Sequence, residues 1–201
     1  KHELNDYGKK IFNAKGEPQS IQDKKGNAIS FLYDGTGGII RGPDETIERR
    51  YPSRLVDGAG QTLIFEYYNS GGGIGTETGP QPRPLLKSVT DPLGRQWGYI
   101  YSADRMVAST APLGRATAYN YHDPNDPNNI TAIVDPRGNA TVYEYNNQDQ
   151  VVRQANPDGG EVQLSFNNFL GTSSMIDENG NTWSFEYNGS GLSTLIIDPE
   201  G

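Results

Sequence analysis

Polar and apolar positions alternate over residues 139–145, Asn-Ala-Thr-Val-Tyr-Glu-Tyr. In an extended strand Thr141, Tyr143 and Tyr145 share one face, and Ala140, Val142 and Glu144 share the other. Just before them stands Asp135-Pro-Arg-Gly138. Such a tetrapeptide suits a type I turn closed by a left-handed glycine: the Asp side chain bonds back to the backbone, Pro presets φ, and Gly takes the positive φ. The stretch therefore predicts a hairpin tip and the strand that leaves it. A polar run, 146–150, predicts a second turn, and 151–155 (VVRQA) a second strand. A helical period of 3.6 is absent along the chain, and the turn clusters leave little room for a helix.

The unit recurs. Gly94, Gly114, Gly138, Gly159, Gly180 and Gly201 close turn-like tetrapeptides at spacings of 20, 24, 21, 21 and 21 residues. Five and seven residues after a glycine come two aromatics: Tyr99 and Tyr101, Tyr119 and Tyr121, Tyr143 and Tyr145, Phe185 and Tyr187. Gly159 leads to Leu164 and Phe166, a degenerate copy. Upstream, Gly60 precedes Phe65 and Tyr67, and Gly26 precedes Phe31 and Tyr33. Self-similarity at a fixed period marks a repeat architecture. The expected fold is all-β, made of repeated antiparallel hairpins over residues 26–201. Residues 1–25 fit the aromatic rule poorly and are expected to form an irregular leading segment. Two spacings reach 34 residues, and the second contains the Gly/Pro-rich stretch 69–84, expected to be a protruding loop. The run 122–129 is expected to enlarge one turn.

Composition narrows the chemistry. The net charge is -8, and no basic patch interrupts it, which disfavours nucleic acid as a partner. Twelve Tyr, six Phe and two Trp argue against disorder despite 25 Gly and 13 Pro. No apolar run approaches the roughly 20 residues of a membrane span. The absence of Cys removes disulfides and thiolate chemistry, and two His (His2 and His122) make a zinc site unexpected. No cofactor or metal is expected. The chain opens without Met or a signal-peptide pattern, so Lys1 is expected to follow a processing boundary.

Candidate chemical groups each meet a structural explanation. The aromatic pairs suit either strand packing or a sugar-stacking platform, and their recurrence in every unit favours packing. Glu66, Glu144 and Glu186 lie between aromatics and face the other side. Glycosidase carboxyls lie within about 9.5 Å. Glu144 and Glu186, four strands apart, are expected roughly 19 Å apart. The tip residues Asp91, Asp135, Asp177 and Asp198 are explained by turn capping. Counted from Asp177, a calcium loop fails at Thr182 and Asn188. The run 73–79 (GIGTETG) leads into Pro80 and Pro82, where a nucleotide loop would lead into a helix. Asn129, Asn139 and Asn188 head glycosylation sequons. No catalytic, cofactor or metal residue is assigned, and the chain is not expected to be an enzyme.

The glycine and aromatic spacing resembles the YD-repeat, or Rhs-repeat, family, whose loose consensus is G-x4-Y-x-Y-D. Tyr33-Asp34 keeps the literal pair; later copies place Tyr68, Ser102, His122, Asn146, Asn167 and Asn188 at the Asp position. The resemblance implies a curved ribbon or part of a spiral β-shell, found in bacterial Rhs toxins, Tc toxin shell components and teneurins. It implies a secreted or cell-surface setting and a segment that encapsulates or escorts a toxin polypeptide. The alternative it leaves open is an adhesion or carbohydrate-binding module. Implied partners are further repeats, of the same or a companion chain, and an enclosed toxin domain. In this family a shell-closing autoproteolytic segment carries aspartates in Asp-Pro motifs. Here those motifs keep the regular period and lack the surrounding block, so no cleavage residue is carried over. Exposed strand edges in such a ribbon invite pairing, so the isolated segment is expected to self-associate or to be marginally stable.

Overall fold

A computed structural model describes residues 2–4, 8–34, 37, 39–41, 47–68 and 84–201. The protein is all-β, and every strand pairing among these residues is antiparallel. Contacts divide it into two compact units, Lys1–Ala116 and Thr117–Gly201.

In the first unit the strands are β1 (His2–Leu4), β2 (Gly8–Phe12), β3 (Pro18–Gln22), β4 (Ala28–Leu32), β5 (Ile39–Arg41), β6 (Ile47–Arg50), β7 (Arg54–Val56), β8 (Thr62–Tyr68), β9 (Leu85–Thr90), β10 (Gln96–Ser102) and β11 (Arg105–Ala111). They form a meander in chain order, except that β5 and β6 pair with each other as a separate hairpin while β4 pairs directly with β7. Arg115–Asn120 is β12 and leads into the second unit, which continues as β13 (Ala132–Val134), β14 (Ala140–Tyr145), β15 (Val151–Ala155), β16 (Glu161–Asn167), β17 (Thr172–Ile176), β18 (Thr182–Tyr187) and β19 (Ser193–Ile197). This too is a meander. Neither unit closes into a barrel.

Residues 1–25, expected as an irregular segment, carry β1, β2 and β3 where they are described. The aromatic rule missed them because Gly16 is followed by Ile21 and Asp23 at the aromatic positions. The turn chemistry is nevertheless present: Lys15 and Glu17 N–H groups donate to the Asn13 side chain at 2.9 and 3.0 Å. Of the expected loop 69–84, only Pro84 lies within the described residues. The other 34-residue spacing is explained by the β5–β6 hairpin.

Each ladder is one strand thick. Thr141, Tyr143 and Tyr145 are half-buried on one face while Val142 and Glu144 are exposed on the other. Among the described residues no aliphatic or aromatic side chain is buried; the buried polar ones are Ser53, Ser88 and Asp91. Ser53 sits where the chain returns from the β5–β6 hairpin. Its N–H donates to Leu32 O at 2.9 Å, and its own carbonyl accepts from Phe65 N–H at 2.8 Å. Gly37 packs against this junction so tightly that a Cβ would lie 2.1 Å from Tyr51 O.

The meander gives each unit two margins. In the first unit one margin carries the tight tips at 57–60 and 91–94 and the other the β4–β7 and β8–β9 connections; in the second, one carries the tips at 135–138 and 177–180 and the other the long β12–β13 connection.

Candidate functional site

The chemistry-bearing residues concentrate in the repeated tip and the strand that leaves it. At the tip of residues 135–139, Asp135 N–H donates to Asn139 O at 2.8 Å and Gly138 N–H donates to Asp135 O at 3.0 Å. Asp135 Oδ1 accepts the Arg137 and Asn139 N–H groups at 2.7 and 2.9 Å, and Oδ2 accepts the Asn139 amide at 2.9 Å. The same closure forms around Asp177 with Asn181 and around Asp23 with Asn27. Arg95 takes the Asn role beside Asp91. Asn188 caps Ser190 and Leu192 N–H in the same way on the other margin. These five-residue closures are the turn the sequence predicts, with Gly138 at φ 87° and Gly180 at φ 82°. The Asn amides hold the Asp135 and Asp177 carboxyls below the ordinary range. These aspartates are anionic acceptors saturated by donors, a poor starting point for acid or nucleophilic catalysis.

One tip departs from the rule. Ala111 offers no side-chain acceptor, and there both Leu113 (φ 70°) and Gly114 (φ 72°) take left-handed conformations.

The second aromatic of the unit has a task that alternation does not reveal. The hydroxyls of Tyr33, Tyr67 and Tyr145 donate to the carbonyls of Pro18, Pro52 and Ile130 at 3.0, 3.0 and 2.8 Å, each 15 residues back. Burial raises the pKa of all three phenols, and of Tyr101. Tyr187 keeps a variant, accepting from Ser173 Oγ at 3.2 Å. Ring pairs meet at an angle: Tyr51 with Tyr67 at 5.9 Å and 45°, Tyr68 with Tyr101 at 6.2 Å and 86°. Such rings pack against one another and spend their hydroxyls on backbone, which leaves little of a sugar-stacking platform.

The carboxylates are likewise engaged or distant. Glu66 accepts from Ser88 Oγ at 2.9 Å. Arg153 bridges Glu144, at 2.6 Å, and Glu161. The hydrogen bond from Arg153 holds the Glu161 carboxyl below its ordinary pKa. A glycosidase needs one of its pair protonated near neutrality. Register places Glu144 opposite Arg153, which in turn opposes Gln163, whereas Glu186 lies opposite Thr172 and Leu195, further along the sheet. The two glutamates are therefore separated by four strands and by roughly four residues along the strands, more than 20 Å on the order of sheet spacings. An open groove on this face is lined by Ser165, Thr172, Ser174, Ser184 and Glu186 among others, with no His, Lys or Cys. Its serines bond each other, Ser165 Oγ to Ser174 Oγ at 2.8 Å. Among the described residues no group of three His, Cys, Asp or Glu gathers to hold a metal, and no helix is long and apolar enough to cross a membrane.

The sequence reading missed the fourth residue after each tip Asx. Asn27, Asn139 and Asn181 were visible in the strings DKKGN, DPRGN and DENGN. It also missed the Tyr-to-carbonyl bonds, whose only signal was the Tyr preference at the second aromatic position.

The RHS repeat model matches residues 85–116 and 122–161. These two stretches carry RHS repeats. The matched residues cover β9 to β11 with their tips and β13 to β15 with theirs, and the same tip closure extends outside them to Asp23, Asp57 and Asp177. No curated protein matches the chain significantly. Solved structures aligned with this chain include "Crystal Structure of TcdB2-TccC3-TEV", at 12% identity and a TM-score of 0.31, covering 98% of this chain and 15% of that one. Another is "Crystal Structure of TcdB2-TccC3 without hypervariable C-terminal region", at 12% identity and 0.33, covering 95% and 15%. The chain thus spans about 15% of the length of those it aligns with.

Proposed function

We propose that this chain is a non-catalytic structural segment of an RHS-repeat β-shell that encloses or escorts a toxin polypeptide. The observation that carries the reading is the two-sided, single-layer ladder with no buried hydrophobic residue among those described. A sheet of this kind stabilises itself by tip closures and cross-strand contacts and leaves two broad faces for neighbours. Its partners are further repeats, of the same or a companion chain, and the enclosed polypeptide. The setting is secreted or cell-surface.

Enclosure makes a cargo resistant to protease. In the parent polypeptide, limited proteolysis is expected to spare the enclosed domain, and excision of residues 135–197 to make it sensitive. Unchanged protection after excision rules the reading out. A glycan array tests the adhesion reading, and the expected result is no specific binding, because the hydroxyls of Tyr33, Tyr67 and Tyr145 are already spent on backbone carbonyls. The enzyme reading is checked with Glu144→Gln and Glu186→Gln, expected to leave any hydrolysis in the sample unchanged.

A further inference from the structure

An Asn or Asp followed by Gly is a place where a chain can react with itself. The glycine nitrogen, with no side chain to shield it, lies next to the carbonyl carbon of the preceding side chain. Four such pairs lie wholly within the described residues: Asp57-Gly58, Asp158-Gly159, Asn179-Gly180 and Asn188-Gly189. In three of them the side-chain oxygen is tied down. Asp57 Oδ1 accepts the Ala59 and Gln61 N–H groups at 2.9 and 2.8 Å. Asp158 Oδ1 accepts Gly160 N–H at 3.1 Å. Asn188 Oδ1 accepts the Ser190 and Leu192 N–H groups, both at 3.0 Å.

Asn179 differs. It is exposed in the 177–181 closure, where its backbone N–H donates to Asp177 Oδ1 at 2.9 Å, and its side-chain amide meets no hydrogen-bond partner among the described residues. A Cβ added to Gly180 would meet nothing within 4 Å, so the pair is open to water. The tips on either side of it, 156–160 and 198–201, belong to the same chain and leave it open. Its neighbour Glu178 accepts from the Asn156 amide, which ties this tip to the one before it.

We propose that Asn179-Gly180 is a self-modification site, where the chain converts its own asparagine to aspartate and isoaspartate through a cyclic imide. Gly180 N gives its proton to hydroxide and bonds to Asn179 Cγ. The Cγ–N bond of the side-chain amide breaks, and ammonia leaves with a proton taken from water. Water then opens the imide at either carbonyl, giving aspartate or, with the backbone rerouted through the side chain, isoaspartate. The net change is one water consumed and one ammonia released. The reacting Gly180 N–H is the one that donates to Asp177 O at 2.9 Å, so the step begins by opening that bond. Isoaspartate then lengthens the backbone inside the closure, and the product is a loosened tip between β17 and β18. The site goes beyond the shell reading and is testable whether or not a cargo exists.

The test is peptide mapping by mass spectrometry after incubation of the folded chain from neutral to mildly alkaline pH, with a parallel sample in urea. In the folded chain position 179 is expected to convert about tenfold faster than 188, because Asn188 must first release the bonds it accepts. In urea, where neither side chain is held, the two should convert at similar rates. Isoaspartate should accompany aspartate at 179, and conversion should quicken as pH rises. Amide exchange at Ile176 and Thr182, which pair beside the tip, should be faster in the converted chain, with β2 to β4 unchanged. Asn179→Gln, which would have to close a larger ring, is expected to keep the tip and abolish the conversion. Equal conversion of 179 and 188 in the folded chain overturns the proposal. So do an unconverted 179 in the folded chain, aspartate formed there without isoaspartate, and conversion that leaves exchange at the tip unchanged.

Discussion

At the scale of single residues the tip is a closed hydrogen-bonding unit, and its parts can be removed one at a time. Gly138 has φ 87° and nothing within 4 Å of an added Cβ, so Gly138→Ala carries only the backbone cost of a left-handed Ala. That cost is about 1 kcal/mol, expected as a lowered unfolding midpoint in denaturant. Tyr145→Phe keeps the ring and removes the bond to Ile130 O; the expected loss is about 1 kcal/mol. The raised phenol pKa adds a pH dependence. A group whose folded pKa lies above its unfolded value stabilises fully below the unfolded value and stops doing so as pH rises through the folded one. Wild type is therefore expected to weaken above about pH 10, and Tyr145→Phe to weaken less steeply over the same range. The Asp and Gly of each tip were readable in the sequence because turn geometry restricts residue types at single positions. The Asn at the fourth position, and the carbonyl that each Tyr reaches, depend on which side chains converge in space. Ala111 shows the limit of the pattern, since its tetrapeptide keeps the spacing while losing the acceptor.

At the scale of elements, the β5–β6 hairpin is held to the ladder by Arg50, whose Nε and Nη2 donate to Glu17 at 2.8 and 2.6 Å while its guanidinium lies 5.4 Å from the Tyr33 ring. The Arg50 hydrogen bond pulls the Glu17 pKa from 4.5 to about 2. A depressed carboxyl contributes its stability above the unfolded value and loses it as pH falls through the folded one. The anchor is thus expected to hold at pH 4.5 and to fail toward pH 2. Amide exchange in β5 and β6 should rise over that interval relative to β2 and β3, and Glu17→Gln should show the raised exchange already at neutral pH. The strands of the regular repeats were legible because alternation and turn residues coincide there. The strands before Gly26 were not, because Ile21 and Asp23 occupy the positions that elsewhere hold aromatics. The spacing of 34 residues announced extra chain but carried no sign that it pairs with itself.

At the scale of the whole molecule, the absence of buried hydrophobic residues among those described means that stability is shared between adjacent strands rather than drawn from one core. Repeats joined only to their neighbours behave as a linear array of coupled elements. A local lesson follows for mutants. Gly138→Ala is expected to speed amide exchange in β13 to β15 and to leave β2 to β4 unchanged. Exchange measured by mass spectrometry decides this, and a uniform change along the chain would contradict it. The all-β class and the hairpin period were evident from sequence because both derive from local patterning. The one-sided placement of the added length was not, because spacing alone does not tell which of two alternating turns has grown.

That one-sidedness has a practical use. In each unit one margin is kept to tight five-residue tips, while the other is longer: a hairpin between β4 and β7 in the first unit and an eleven-residue connection before β13 in the second. The second margin is a ready site for grafting. Foreign sequence placed within 121–131 lengthens a connection that is already long; the same insertion at Pro136 would split a closure that the flanking strands depend on. Each unit is in effect a scaffold with a fixed hem and a free one.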